Sequence, residues 1–271
     1  MIDTHAHLQA AAFDADRDLA IARAFAAGLA GIIEVSIDAA GWPRALAVAE
    51  LDPRIRLTAG IHPHDTGRAA PEDLDRLAEN LNHPRVCAVG ETGLDYFRDY
   101  APSEAQQSFF RRHVRLACET GLPLVVHART GPQGPPVHGD IFRIVREEGG
   151  GGVCGVRGVL HCFSGGLEEA REAASLGFCL GIGGAITYHP RQSGPLLATI
   201  AGELGPEVFV LETDCPWLPP QPHRGKRNEP AFVPLVAAAL ARYVGITVAE
   251  VERVTDASAR KLFRLPGTDG I

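Results

Sequence analysis

The chain is poor in lysine, in aromatic residues and in net positive charge. Lysine occurs only at positions 226 and 261, aromatic residues make up 6%, and 26 Lys+Arg face 33 Asp+Glu, a formal charge of −7. Proteins that grip long nucleic acid electrostatically are usually basic, so a large DNA-binding surface is not expected; a polyanion held by metal ions in one cleft remains compatible with this balance. No apolar run approaches the roughly 18 residues of a membrane span. Asp3, His5 and His7 spoil the start of a secretion signal, and no membrane association and no obligate protein partner are expected. Cys87, Cys118, Cys154, Cys162, Cys179 and Cys215 make no Cys-x-x-Cys pair and no scaffold spacing, so reduced thiols in a cytoplasmic protein are expected. No Gly-x-Gly-x-x-Gly follows the first strand, which removes the usual reason to place a doubly wound dinucleotide-binding sheet here.

What is present is a rhythm. Short, continuously apolar runs at about 2–3, 31–37, 56–61, 85–90, 123–126, 158–160, 178–183 and 207–211 read as buried strands, separated by helical patterns. Ser103 to Thr120 is the clearest helix, with Ser103 as N-cap, Gln106 at the capping-box position and Gly121 as its stop. Two further helices near 231–244 and 248–263 finish the chain. Alternating strands and helices over 271 residues, 45% of them apolar, predict an α/β protein: one (β/α)8 TIM barrel spanning 1–271, with an extra C-terminal helix. Segment 130–152 breaks the rhythm with Gly131-Pro132-Gln133-Gly134-Pro135-Pro136, a helix near 139–148 and a four-glycine run.

The strand ends carry the chemistry. In an extended backbone residues two apart share a face, so His5 and His7 converge while Thr4 and Ala6 turn away. His62 and His64 follow the third strand, Glu91 the fourth, His127 the fifth, His161 the sixth, and Glu212 and Asp214 the eighth. Barrel active sites are built at these C-terminal ends, so the residues would share one mouth. Taken singly, each has a structural explanation; gathered at six strand ends, they point to metal. Four histidines and two carboxylates exceed the three protein ligands of an open zinc site and suit two ions roughly 3.5–4 Å apart, sharing a carboxylate and a bridging water. Glu91 is the expected bridge, with His5, His7 and Asp214 completing one site and His127 and His161 the other. The mixed nitrogen and oxygen donors admit Mg, Mn or Zn.

The sequence resembles the TatD family of metal-dependent deoxyribonucleases, within the amidohydrolase-like barrels. The matching stretches are Asp3-Thr4-His5-Ala6-His7, Gly60-Ile61-His62-Pro63-His64, Gly90-Glu91-Thr92-Gly93-Leu94-Asp95-Tyr96 and Val126-His127-Ala128-Arg129. They continue through His161-Cys162-Phe163-Ser164-Gly165, Glu212-Thr213-Asp214-Cys215-Pro216-Trp217-Leu218 and Asn228-Glu229-Pro230. The resemblance implies phosphodiester hydrolysis with divalent metal, often as a 3′→5′ exonuclease on single-stranded DNA. Segment 130–157 departs from it, being longer and richer in Gly and Pro, and a lid is conceivable there.

Residue chemistry agrees with that implication. A water bridging the ions is the expected nucleophile, with Asp214 as general base. His62, His64 and Arg129 stand at strand ends without obvious metal duty and could hold phosphate oxygens, and Glu212 could fix a ligand or a phosphate-binding histidine. Cys162 and Cys215 are expected to pack away from the metals, Asp95 and Tyr96 to serve the structure or else shape the mouth, and His138 to lie at the surface. Arg224, Lys226 and Arg227 either track a strand backbone or form a solvated loop. Two rival readings share the barrel: hydrolysis of another ester or amide, including aminoacyl-tRNA deacylation, and a metal-stabilised quality-control protein without turnover. Binuclear barrels that bridge their metals with a modified Lys are disfavoured, because Glu91 stands on that strand.

Overall fold

In the computed structural model, which describes residues 1–132, 136–149 and 155–266, eight parallel strands pair in chain order. They are β1 (Ile2–Ala6), β2 (Gly31–Val35), β3 (Ile55–Ala59), β4 (Val86–Asp95), β5 (Leu124–Arg129), β6 (Gly158–Leu160), β7 (Phe178–Ile182) and β8 (Phe209–Leu211). Around them run α1 (Arg17–Ala26), α2 (Trp42–Glu50), α3 (Pro71–Asn80), α4 (Ser103–Thr120), α5 (Val137–Glu148), α6 (Leu167–Ser175), α7 (Pro190–Leu204) and α8 (Val233–Val244), and then the extra helix α9 (Val248–Phe263). The expected α/β barrel is what the chain forms.

The seam between first and last strands is closed mostly by hydrogen bonds at and beyond the strand ends. Asp214 N–H donates to His5 O and His7 N–H to Cys215 O, both at 2.9 Å, while the Thr4 hydroxyl donates to Leu211 O at 3.0 Å. Buried Asp3 accepts from Thr213 N–H (3.0 Å), the Thr213 hydroxyl (2.6 Å) and His5 N–H (3.2 Å).

Two apolar layers result. Inside the barrel, Ile2, Ile33, Val35, Ala88, Val125, Val159 and Val210 pack together, joined by Ala259, Leu262 and Phe263 of α9, which covers the end where the strands begin. Outside, strand residues such as Ile32, Leu57 and Leu180 meet the helices. Among the described residues no single helix is long and apolar enough to cross a membrane.

Four local expectations are corrected. β4 does not stop at Glu91 but pairs with β5 as far as Asp95, opposite Arg129. Ser103 is not the cap of α4; Pro102 holds that position with no side-chain cap, and Gln106 is buried, accepting from Asp95 N–H at 2.8 Å and donating to Asp95 O and Ala101 O. The glutamine thus anchors the β4 extension instead of closing a capping box. His138 is not at the surface: α5 starts two residues earlier than expected, and the ring is buried between Phe142 and Phe163. Cys87, Cys162, Cys179 and Cys215 are free as expected, whereas Cys118 is disulfide-bonded. The Gly- and Pro-rich residues 133–135 and 150–154, where a lid was conceivable, lie outside the described residues.

α4 also steadies the segment that carries His62. His113, fully buried on the helix, accepts Ile61 N–H at Nε2 (3.0 Å) and faces Phe109 O through Nδ1 (2.7 Å). Both bonds need the neutral imidazole with its proton on Nδ1. Burial pushes its pKa down to about 4. The unfolded chain takes up the proton near the ordinary value of about 6.5, so stability is complete above that pH and declines as pH falls toward 4, by about 3 kcal/mol for this residue. Urea unfolding at pH 7 and pH 4.5 should show a larger loss for the wild type than for His113→Gln; equal losses would refute the assignment.

Candidate metal centre

At the end where the strands finish, imidazoles and carboxylates alternate around one cleft. His5 lies in β1 and His7 directly after it, their Nε2 atoms 3.0 Å apart. The buried Glu91 carboxylate stands between two groups of rings. Its Oε2 lies 3.3 Å from His5 Nε2 and 3.8 Å from His7 Nε2; its Oε1 lies 3.0 Å from His127 Nδ1 and 3.5 Å from His62 Nε2. Asp214 Oδ1 is 3.5 Å from His7 Nε2 and 3.8 Å from His161 Nε2. On the other bank Asp95 Oδ2 is 2.7 Å from His64 Nε2 and 3.0 Å from His127 Nε2.

Glycines make this convergence possible at two points. A side chain on Gly60, at the end of β3, would overlap the backbone of Gly90 and Glu91, and one on Gly181 in β7 would overlap the Glu212 carboxylate. Asp214 (φ 57°) and Cys162 (φ 47°) adopt left-handed backbone. There the chain leaves the strand direction, so strand alternation no longer decides where side chains point.

The grouping of ligands differs from expectation on one side. His5, His7, Glu91 and Asp214 come together as a set. His161 does not join His127, their centroids being 6.5 Å apart; it stacks on His5 at 3.5 Å, with Nδ1 3.1 Å from Glu212 Oε1. β6 is only three residues long and turns away at Cys162, which drops the His161 ring over the β8 side. His127 pairs in register with Gly93 of the extended β4, so it is flanked by Glu91 and Asp95 and neighbours His62 and His64. Arg129 lies at the rim, its guanidinium 4.2 Å from the centre of the Phe97 ring. The basic loop after β8 is partly spoken for: Arg227 pairs with Asp16, and Arg224 lies over Tyr188.

Sequence reasoning gave Asp95 a structural or mouth-shaping role, not one among the site's charged partners, and assigned no site role to Arg98, Tyr100 or Trp217. All but Asp95 line the same cleft of about 580 Å³. The signal for Asp95 was its spacing: four residues past Glu91, on one face of a strand that continues.

Hydrogen bonds fix the ring tautomers. His7 donates Nδ1–H to Val35 O (2.9 Å), which leaves its Nε2 lone pair facing the cleft, as a ligand requires. His161 has no such bond to fix it: Nδ1 lies 3.1 Å from Glu212 Oε1 as an ion pair, and Nε2 faces Asp214. His62 is the reverse of His7. It accepts His64 N–H at Nδ1 (3.2 Å), so the neutral ring carries its proton on Nε2 and presents a donor.

Charge balance supports cations. Burial alone would raise Glu91, but His62, His5 and His127 outweigh it and hold the carboxyl well below its usual range. Against the same burial, Glu212 and Asp214 lift His161 to about 10, Asp214 and Glu91 raise His7, and Asp95 and Glu91 raise His127. His5 goes the other way, to about 4, through burial and His161. Among the described residues, buried His5 Nδ1, His161 Nδ1 and Glu212 Oε2 have no hydrogen-bond partner. A cluster that retains protons so strongly among nitrogen and oxygen donors suits divalent cations.

Comparison with known proteins follows the same line. The profile of TatD-related DNases matches residues 2–264. The chain is 36% identical to the uncharacterised metal-dependent hydrolase YabD of Bacillus subtilis, covering 98% of this chain and 99% of that one. It is 30% identical, over 98% and 99% of the two chains, to TatD of Salmonella typhimurium, named a 3′-5′ ssDNA/RNA exonuclease. The crystal structure of the TatD homologue YjjV from Escherichia coli matches with a TM-score of 0.87 at 30% identity, covering 98% of each chain.

Replacing Glu91 or His5 with Ala should cut bound divalent metal, measured by elemental analysis, to half or less; unchanged content would refute their role as ligands. Because His161, lifted to about 10, holds a proton at pH 8 that a cation must displace, adding Mn or Zn to metal-free protein at that pH should acidify a weakly buffered solution.

Proposed function

The chain belongs to the TatD-related DNase family and is a metal-dependent hydrolase, and from that premise we propose that it hydrolyses DNA phosphodiester bonds as a 3′→5′ exonuclease on single-stranded ends. Two divalent ions, of Mg, Mn or Zn, would be held by His5, His7, Glu91, His127, His161 and Asp214. The observation that supports this most directly is Glu91, one oxygen turned to His5 and His7 and the other to His127 and His62. Such ions supply an activated water and neutralise the charge that develops on the phosphate and the leaving oxygen.

The chain's own residues do the rest. His161, His5 and His7 hold the Asp214 carboxyl below its usual range despite burial, so it remains ionised and can take the proton of the attacking water. As one P–O bond forms, the other breaks, and the departing 3′ oxygen ends with a proton. The inward Nε2–H of His62 suits a non-bridging phosphate oxygen. Arg129 and Arg98 suit the next phosphate: among the described residues neither pairs with a carboxylate, and both lie against the Phe97 ring. Asp95 aims His64 and His127, and Glu212 aims His161.

Metal-loaded protein incubated with 5′-labelled single-stranded DNA should give a ladder shortening from the 3′ end. Chelator should abolish it, and Asp214→Ala should slow it by about 100-fold or more. Fully metallated protein that leaves DNA intact but cleaves a small ester or an aminoacyl-tRNA would transfer the site to that substrate, and no turnover at all would leave the quality-control reading.

A further inference from the structure

Aromatic residues are scarce in this chain, and nearly all are at least half buried. On the described surface the exposed large aromatic side chains are Phe97 (44%), Tyr100 (62%) and Trp217 (51%), and all three stand at the rim of the metal centre. They are not equivalent. Phe97 is occupied by the guanidinium of Arg129 at 4.2 Å, with that of Arg98 at 5.4 Å. Trp217 and Tyr100 instead make edge contacts with one site histidine each. Trp217 meets His7 at 5.1 Å and an interplanar angle of 68°; Tyr100 meets His64 at 4.8 Å and 86°. Each pair is T-shaped, so no histidine stacks flat on either ring, and both rings line the cleft with half or more of their surface left to solvent. His7 belongs to the Asp214 bank and His64 to the Asp95 bank, with Glu91 between them. Two open rings therefore flank the place where a phosphate would sit.

We propose that Trp217 and Tyr100 are stacking platforms for the two nucleobases on either side of the scissile phosphate, which makes the site a reader of unpaired bases of any sequence. The proposal rests on the nuclease reading above and adds the substrate's recognised part. Every nucleobase offers a π-face, so stacking gives affinity without sequence choice. Bases inside a duplex have both faces engaged and cannot lie on either ring, so single strands are selected at the point of cutting. The acidic composition ceases to be an obstacle: grip comes from two rings, two guanidiniums with no carboxylate partner among the described residues, and the metal ions, with no basic surface needed.

The test uses metal-loaded protein and two strands, one natural and one in which the last two 3′ nucleotides carry a tetrahydrofuran in place of the base. For the wild type, kcat/KM on the natural strand should exceed that on the base-free strand by roughly tenfold or more. Trp217→Ala with Tyr100→Ala should bring that ratio toward one, and Trp217→Phe with Tyr100→Phe should restore most of it. Since Trp42 and Trp217 are the two tryptophans, Trp217 fluorescence in a Trp42→Phe background should be quenched by the natural strand and not by the base-free one. If the wild type cuts both strands equally, or if the alanine variants lose the same factor on each, the platforms are overturned while the nuclease stands. If metal-loaded wild type cuts neither strand, the nuclease reading falls and takes this one with it.

Discussion

The hydrogen bonds at the seam between first and last strands are the constraint on which the rest depends. His5 and His7 lie at one end of the sequence and Asp214 near the other, and they meet because β8 and its exit loop are fastened to β1. Asp3 does much of the fastening. Burial raises its carboxyl to about 7, opposed by the Thr213 hydroxyl and the amides of His5 and Thr213 that it accepts from. Those bonds are shielded from water, where a lost partner costs more than a typical exposed one. Asn228 extends the fastening, donating to Thr213 O at 2.8 Å and Trp217 O at 2.6 Å. The loop that bears the rim tryptophan is thus tied to the strand end that bears Asp214.

Around that seam the site is built as a chain of alternating bases and acids. Glu212, His161, Asp214, His7, Glu91, His127, Asp95 and His64 each lie within 4 Å of the next. Buried carboxylates without compensation would protonate, and buried imidazoles would stay neutral; interleaved, the acids raise His161, His7 and His127 while the rings hold Glu91, Asp95 and Asp214 below the usual carboxylate range. The arrangement keeps every side chain oriented before any substrate arrives, which is where a preorganised site gains over flexible groups.

Much of this was legible from residues alone. The barrel followed from strand-length apolar runs, and the site from polar residues placed at their ends. What escaped did so for definite reasons. Asp95 was hidden because Gly90-Glu91-Thr92-Gly93 reads as a strand ending, while pairing with β5 carries the strand through it. The position of His161 turns on the left-handed residue Cys162, a conformation that a cysteine does not advertise. Gln106 occupied a capping position on paper, but the extended β4 left backbone groups of Asp95 and Ala101 in need of partners. His138 read as loop because Pro135-Pro136 delayed the expected helix, although apolar spacing at Val137, Ile141 and Ile144 was there to be seen. The stacking rings, finally, were overlooked because an exposed aromatic is defined by its surroundings.

The packed interior and the helix α9 across its far side have a further bearing on how such a strand would be consumed. The cylinder is a cup and not a pore: Val35, Val125, Val159 and Val210 fill its middle, and Leu262 with Phe263 seals the base. On the nuclease reading, strand, water and spent nucleotide would then share a single doorway. A polymer cannot be threaded through, so each cut has to be cleared backwards before the shortened end can advance, and departure of the fragment becomes a natural candidate for the step that sets the pace.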